Sequence, residues 1–420
     1  MSASHVIIGD GIAGSSAAET IREADADADI TVLTDEGEAL YNRILIKEYA
    51  KGKMPAGPIS IHDEGWYEER DVELRLNTYV NEVDTDAHEV YTHRGDTIEY
   101  DTLLIATGGT PTQLPVPNSD ADGIHHFWTF EDARAIRDGA ENADTGVVIG
   151  AGLLGIDLAA ICGAQDVSAH YLMRGNAWWR YALSEEGAEI IHDALREREV
   201  TPVFDSGVDR FEIDDDGHIT GVTDPDGEEF DADFAGVAIG LNYNTEFLQG
   251  SGIERTDDGS IVTDETMRTD TEDVYAAGAL TYFYDVLLGE QAQNGAWGSA
   301  KEQGSIAGTN MVYDQGDGDE EATFEWVSSY SITHFDFPFL SFGHPTLGDE
   351  SVERKYSDDE WRRVALMDGK VVGGVLIGDL APQSKLKKLA RQQVDVSGKE
   401  EELLAETIDL EAFEPMEAEQ

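Results

Sequence analysis

An α/β chain built around two doubly wound, three-layer units is predicted by three features of the 420-residue sequence. A glycine pattern, G-x-G-x-x-G, occurs twice, at Gly9, Gly11 and Gly14 and again at Gly150, Gly152 and Gly155. Each copy follows a short β-branched run, His5 to Ile8 and Val147 to Ile149, and opens into residues of helical character, Ser15 to Glu23 and Asp157 to Cys162. Two further apolar runs, Asp101 to Pro111 and Asp273 to Ala279, read as strands that end in Gly turns. In a strand-turn-helix of this kind the first Gly permits the tight turn, the second lets backbone approach a pyrophosphate, and the third lets helix pack against strand. The helix N-terminus then faces the anion with free N–H groups and the positive end of its dipole. One copy is weak evidence. Two copies, each between a strand and a helix, point to Rossmann-like domains that hold two dinucleotides.

Composition narrows the function classes. No run of about 18 apolar residues occurs, and Met1 to Ser4 leads straight into the first strand, so a cytoplasmic chain with no leader and no membrane insertion is expected. Asp and Glu number 87 against 28 Lys and Arg, a formal charge of -59. Disorder is one source of such a balance, but 40% of the residues are hydrophobic and fall in periodic segments. The acids are scattered through the loops, as at Asp25, Asp27 and Asp29 and at Asp214 to Asp216. That pattern favours a surface adapted to molar salt, where the Debye length falls to about 3 Å and self-repulsion is screened. A halophilic protein is expected. The same charge makes nucleic acid a poor partner. Cys162 is the single cysteine, which rules out a disulfide, a Cys-x-x-Cys pair and an Fe–S ligand set within the chain.

In chain order, Ile30 to Leu33 is expected beside the first strand, with an acid for ribose hydroxyls near its end, about 20 residues past the glycines. Thr34 occupies the nearest spot and Asp35 and Glu36 follow; a plain surface role is their other reading. Arg43, Lys47, Lys51 and Lys53 form a basic island in a chain poor in cations. It either balances nearby acids or complements a phosphate. A strand over Val72 to Val80 and a hairpin over Val83 to Tyr91 and Thr97 to Tyr100 follow. His125 and His126, on a Pro-rich exit, read as structural or solvated rather than as ligands. Helices are expected at Thr129 to Asn142, with Thr129 as cap, at Ser184 to Arg198 and at Trp297 to Met311. Tyr313 to Ala322 reads as a linker. Strands at Trp361 to Met367 and Lys370 to Ile377, a helix from Ser384 and an acidic tail close the chain.

The paired Gly motifs, Tyr41-Asn42-Arg43, Asp101 to Pro111, Asn242 to Glu246 after Ile239-Gly240, Ala276-Ala277-Gly278, and Trp297 with Ala300, Gln303 and Gly304 together carry a resemblance. Over nearly its whole length the chain resembles the FAD-dependent pyridine-nucleotide oxidoreductases. The branch is that of rubredoxin reductases, ferredoxin reductases of oxygenase systems and the flavin portion of nitrite reductases. That family inserts its NAD(P)H domain into its FAD domain. The resemblance therefore implies an FAD domain at 1–110 and 240–313, an NAD(P)H domain at 111–239, a linker at 314–323, a C-terminal α+β interface domain at 324–408 and a tail at 409–420. It puts the FAD pyrophosphate at Gly9, Gly11 and Gly14, with Arg43 near the same phosphates and Val80 at the adenine. Thr107 and Gly108 would line the FAD cavity, Gly278 and Ala279 the ribityl chain, and Trp297 would sit against the flavin. Gly150, Gly152 and Gly155 would hold the nicotinamide dinucleotide.

Three positions depart from the family pattern. Its Ala-Gly-Asp is Ala-Gly-Ala here, so Ala279 removes an acceptor, a loss of about 1 to 3 kcal/mol if nothing replaces it. Asp157 stands where the family usually has a Glu that helps place the nicotinamide. Lys47 lies one residue before the family's Lys, and a pair between Lys47 and Asp157 is the expected catalytic contact. For the nicotinamide cofactor, Met173 takes the spot of an acid that would favour NADH, and Arg174 and Arg180 flank the loop. The pair favours NADPH over NADH; general phosphate contacts or surface balance are its other reading. The implied activity is hydride transfer from NAD(P)H to flavin, then electron transfer to an external acceptor such as rubredoxin or ferredoxin, in a protein that could pair as a homodimer. The rival reading is a degenerate flavoprotein that binds a nucleotide without turning it over.

Overall fold

The computed structural model describes residues 2–316, 318 and 320–413. Contacts divide the chain into two compact units, one of residues 1–44, 56–110 and 241–328, the other of 45–55, 111–240 and 329–420.

The first unit is built on a parallel sheet in the order Val274–Ala276, Thr102–Ile105, Ser4–Ile8, Asp29–Leu33, Val72–Arg75. The strand that precedes the first Gly motif is central, and Val6 and Ile7 on it are fully buried. Helix Ile12–Ala24 follows, and helix Trp297–Asp314 packs along it. Small residues allow that approach: a Cβ on Gly304 would lie 2.1 Å from the Ala13 carbonyl, and one on Gly308 would lie 2.8 Å from that of Ala17. A three-stranded antiparallel sheet, Val80–Asp84, Glu89–Thr92 and Thr97–Glu99, completes the N-terminal part.

The second unit repeats the plan. Its parallel sheet runs Val200–Val203, Ser168–Leu172, Thr145–Ile149, Phe234–Val237, Ile124–His126, again with the strand before the Gly motif in the centre. The same unit holds a five-stranded antiparallel sheet, Ser329–Ile332, Phe339–Gly343, Lys370–Ile377, Trp361–Met367 and Glu350–Lys355, with helix Gln383–Arg391 against it. The three lysines of the basic island, Lys47, Lys51 and Lys53, belong here as well, whereas Arg43 belongs to the first unit. Helix Ile46–Ala50 packs on helix Phe130–Glu141, with Tyr49 edge-on to Phe130 at 5.2 Å and Arg137 over the Tyr49 ring.

Three expectations move. The strand expected over Val72 to Val80 ends at Arg75, and Val80 opens a separate strand, Val80–Asp84, which pairs with Glu89–Thr92 in another sheet, so the stretch expected as a strand over Val83 to Tyr91 contains a hairpin turn. The helix that begins at Trp297 runs on to Asp314, and Glu321, Ala322 and Phe324 beyond it are held to the first unit instead of leading away as a linker. The Asn310 amide bonds the Thr266 and Ala322 carbonyls, Arg268 bonds Asp314 and Glu321, and Phe324 is buried edge-on to Phe283. The tail expected at 409–420 is ordered at its start, where Leu410–Phe413 forms a 3-10 turn with Phe413 buried; residues 414–420 lie outside the described part.

Candidate functional site

The two Gly motifs form cradles of nearly the same geometry. Gly9 has φ +111° and Gly150 φ +116°, and a Cβ on either would lie 2.2 Å or 2.0 Å from a carbonyl of the neighbouring strand, Ala106 or Ala238. A Cβ on Gly14 or Gly155 would lie 1.9 Å from the carbonyl of Gly9 or Gly150, which is the contact that lets each helix seat against its strand. Gly11 and Gly152 differ: a Cβ there would meet nothing within 4 Å. No packing demands glycine at these two positions, and each borders open space at the start of its helix.

The helix ends agree with that reading. Helices Ile12–Ala24 and Leu153–Ala164 begin at Gly11 and Gly152 with no side-chain cap and no acid in the first turn. By contrast, Phe130–Glu141 is capped by Thr129 and Glu185–Arg196 by Ser184, each with two acids in its first turn. Acids stabilise a helix N-terminus. Leaving them out in so acidic a chain keeps the first N–H groups open to an anion. Both cradles thus fit a dinucleotide pyrophosphate.

Around the first cradle, Thr34 is buried, Asp35 is exposed, and Glu36 accepts a hydrogen bond from Tyr41 Oη at 2.6 Å and pairs with Arg43. Arg43 therefore comes to the cradle with its charge already shared. Val80 opens its strand and is buried. Thr107 Oγ1 donates to the Asn244 carbonyl at 2.8 Å, and a Cβ on Gly108, at φ +59°, would point into open space. Gly278 N–H donates to Gln303 Oε1 at 2.7 Å, which Thr281 Oγ1 also reaches at 3.0 Å. Gln303 Nε2 is then a buried donor without a partner among the described residues, close in the chain fold to the missing acceptor at Ala279. Trp297 starts its helix half-buried.

In the second unit, Asp157 lies on the cradle helix with its side chain 5% exposed. Lys47 Nζ stands 3.4 Å from Oδ1, Tyr330 Oη donates to Oδ2 at 3.1 Å, and His334 Nε2 donates to Oδ1 at 2.5 Å. His334 Nδ1 in turn accepts from Lys51 Nζ at 2.6 Å, and Lys51 donates to Glu48 at 2.8 Å. Burial pushes the Asp157 carboxyl up, but the His334 bond and the Lys47 charge outweigh it and hold it below the usual carboxylate range. Burial also lowers His334, against the pull of Asp157, which leaves the neutral ring these two bonds require. The sequence pointed to Lys47 and Asp157 and placed Lys51 in the basic island, but it did not assign Tyr330, His334 or Lys51 to this cluster. The isolated basic island and the Thr333-His334-Phe335 stretch were the available signals.

At the end of strand Ser168–Leu172, Met173 is fully buried. Arg174 is exposed and makes no hydrogen bond or ion pair among the described residues. Arg180 is exposed too, with its guanidinium over Gly175 and the Tyr181 ring. The loop is pinned to the cradle, because Trp178 Nε1 donates to the Gly152 carbonyl at 3.3 Å and the Trp179 amide to that of Ala151 at 3.2 Å. His125 and His126 are partly buried on an edge strand, and no cluster of metal-binding residues occurs among the described residues. Nor is any described helix long and apolar enough to cross a membrane.

Two pyrophosphate cradles, each at the C-terminal edge of a parallel sheet, define a protein that binds two dinucleotides. Residues 3–304 match the family model described as pyridine nucleotide-disulphide oxidoreductase, and the chain belongs to that family. It is 27% identical over 403 residues to a nitrite reductase [NAD(P)H] of Bacillus subtilis, covering 93% of this chain and 48% of that protein. It is 28% identical over 328 residues to the ferredoxin–NAD(+) reductase component of the anthranilate 1,2-dioxygenase system of Burkholderia cepacia, covering 77% and 78%. The fold matches that in the covalent putidaredoxin reductase–putidaredoxin complex with a TM-score of 0.89, at 22% identity and 98% coverage of both chains. The chain thus spans about half the length of the nitrite reductase it resembles. With one buried cysteine, it has no active-site disulfide.

Proposed function

We propose that the chain is an FAD-dependent oxidoreductase that takes hydride from NADPH in preference to NADH and passes electrons to a small redox protein. The observation that carries this is the pair of cradles whose middle glycines, Gly11 and Gly152, border empty space. When bound, FAD and the nicotinamide supply the hydride chemistry. The protein binds and orients them. Gly9, Gly11 and Gly14 hold the FAD pyrophosphate, assisted by Thr107, Gly108 and Gln303 Nε2, which has no partner among the described residues. Gly150, Gly152 and Gly155 hold the nicotinamide dinucleotide, and Asp157, fixed by Lys47, Tyr330 and His334, positions its reactive end. Arg174, unpaired in a chain with 87 acids, receives the 2′-phosphate. The ferredoxin–NAD(+) reductase relative supports a ferredoxin-type acceptor.

Two measurements test the reading. Under argon, NADPH should bleach the yellow protein, and a ferredoxin or rubredoxin should restore the colour; protein that never takes up FAD would favour the degenerate, non-catalytic alternative to which Ala279 points. Replacing Arg174→Ala should lower the NADPH-to-NADH ratio of kcat/KM by about 10- to 100-fold, the worth of about 1.5 to 3 kcal/mol of charged hydrogen bonding. Equal use of both cofactors by the unaltered protein would end the NADPH assignment.

A further inference from the structure

One side chain in the first cradle is out of keeping with an anion site. Asp10 stands between Gly9 and Gly11 and is 8% exposed. Its Oδ1 accepts a hydrogen bond from Tyr67 Oη at 2.5 Å, and that hydroxyl, itself buried, lies 3.3 Å from Ser15 Oγ on the cradle helix. Its Oδ2 is buried and has no partner among the described residues. The charged groups that act on it are Glu36 and Arg43, which pair with one another. Asp10 therefore has no countercharge of its own, and a buried carboxylate with an unpaired oxygen is costly. A dianionic pyrophosphate arriving at Gly9 and Gly11 raises that cost further. A proton on Oδ2 removes the charge and turns the orphan oxygen into a donor.

We propose that Asp10 is a neutral, proton-bearing member of the FAD cradle, so that FAD uptake by this chain is coupled to uptake of one proton from solvent. The inference rests on the assignment of the first cradle to FAD. Burial pushes the Asp10 carboxyl up to about 7, and Glu36 adds to this, while the Tyr67 bond, the Leu40 amide and Arg43 pull the other way. Because binding raises this acid's pKa above its apo value, affinity is full below the apo pKa. It falls about tenfold per pH unit above that, until the pKa of the bound form is reached.

The test is FAD affinity of the apoprotein by flavin fluorescence across pH, with proton uptake read by calorimetry in buffers of different ionisation heat. The FAD Kd should be about ten- to thirtyfold weaker near pH 8.5 than near pH 6.5, with close to one proton taken up per FAD at about pH 8. Asp10→Asn, an isostere that still accepts from Tyr67, should bind FAD tightly with a flat profile and no proton uptake. Tyr67→Phe removes a bond that favours the carboxylate, so the break in the profile should move to higher pH. If the unaltered protein binds FAD with no proton uptake, or Asp10→Asn keeps the pH dependence, the proposal is overturned while the FAD assignment stands. If neither protein binds FAD at any pH, the assignment of the cradle falls and takes the proposal with it.

Discussion

Asp157 is the acceptor that holds a buried polar cluster of the second unit together. Four polar partners converge directly or through His334 on one buried carboxylate, so Asp157→Ala leaves Lys47 and His334 buried without their acceptor. A cost of about 3 to 5 kcal/mol is expected, visible as a lower Tm, together with a higher KM for the nicotinamide cofactor. The pH dependence has a definite sign. The folded-state pKa lies below the unfolded value of about 3.9, so the stabilisation is complete above that value and is lost as pH falls through the folded pKa. Melts recorded from neutral to acid pH should show a shallower acid limb for Asp157→Asn; an unchanged limb would mean that Asp157 is not ionised in its cluster. The sequence offered Asp157 because a family pattern marks its place, and Lys47 because it lies one residue before the family's Lys. Tyr330 and His334 lie 173 and 177 residues further along the chain, and no local periodicity ties them to a helix turn so far upstream.

Among the elements, those with local signals were read well. The Thr129 cap, the helix start at Ser184 and the strands Trp361–Met367 and Lys370–Ile377 around a Gly turn follow from short-range signals. Elements fixed by distant partners were not. The Asp- and Gly-rich stretch before Phe324 looks like a linker, yet Asn310 and Arg268 hold it down, and the short helix Ile46–Ala50 joins the second unit through Phe130 and Arg137. The close pair of helices in the first unit gives a test at this scale. Gly304→Ala places a methyl 2.1 Å from the Ala13 carbonyl and must push the cradle helix away. A loss of about 1 to 3 kcal/mol is expected, with weaker FAD retention. Thr129→Ala should cost about 1 kcal/mol by loss of its cap and leave flavin content untouched. Equal flavin loss in both variants would mean that global destabilisation, not the helix contact, governs retention.

For the whole molecule, charge and fold separate cleanly. Asp10, Asp157, Asp224 and Asp285 are the only acids buried among the described residues, although the chain has 87. Nearly all the excess charge is therefore at the surface, where self-repulsion in dilute buffer opposes the compact state and salt relieves it. Tm should rise steadily from dilute buffer to molar KCl; a flat response would remove the halophilic reading without touching the fold. The central claim is that one polypeptide carries two independent dinucleotide cradles, and its most direct test is calorimetric titration of apoprotein with FAD and with NADPH. The unaltered chain should take up one of each. Gly11→Ala should weaken FAD alone and Gly152→Ala should weaken NADPH alone, each by about 10- to 100-fold, since each methyl enters open space that the proposed ligand would fill. If either variant loses both ligands together, or neither variant loses any affinity, the two-cradle account is contradicted.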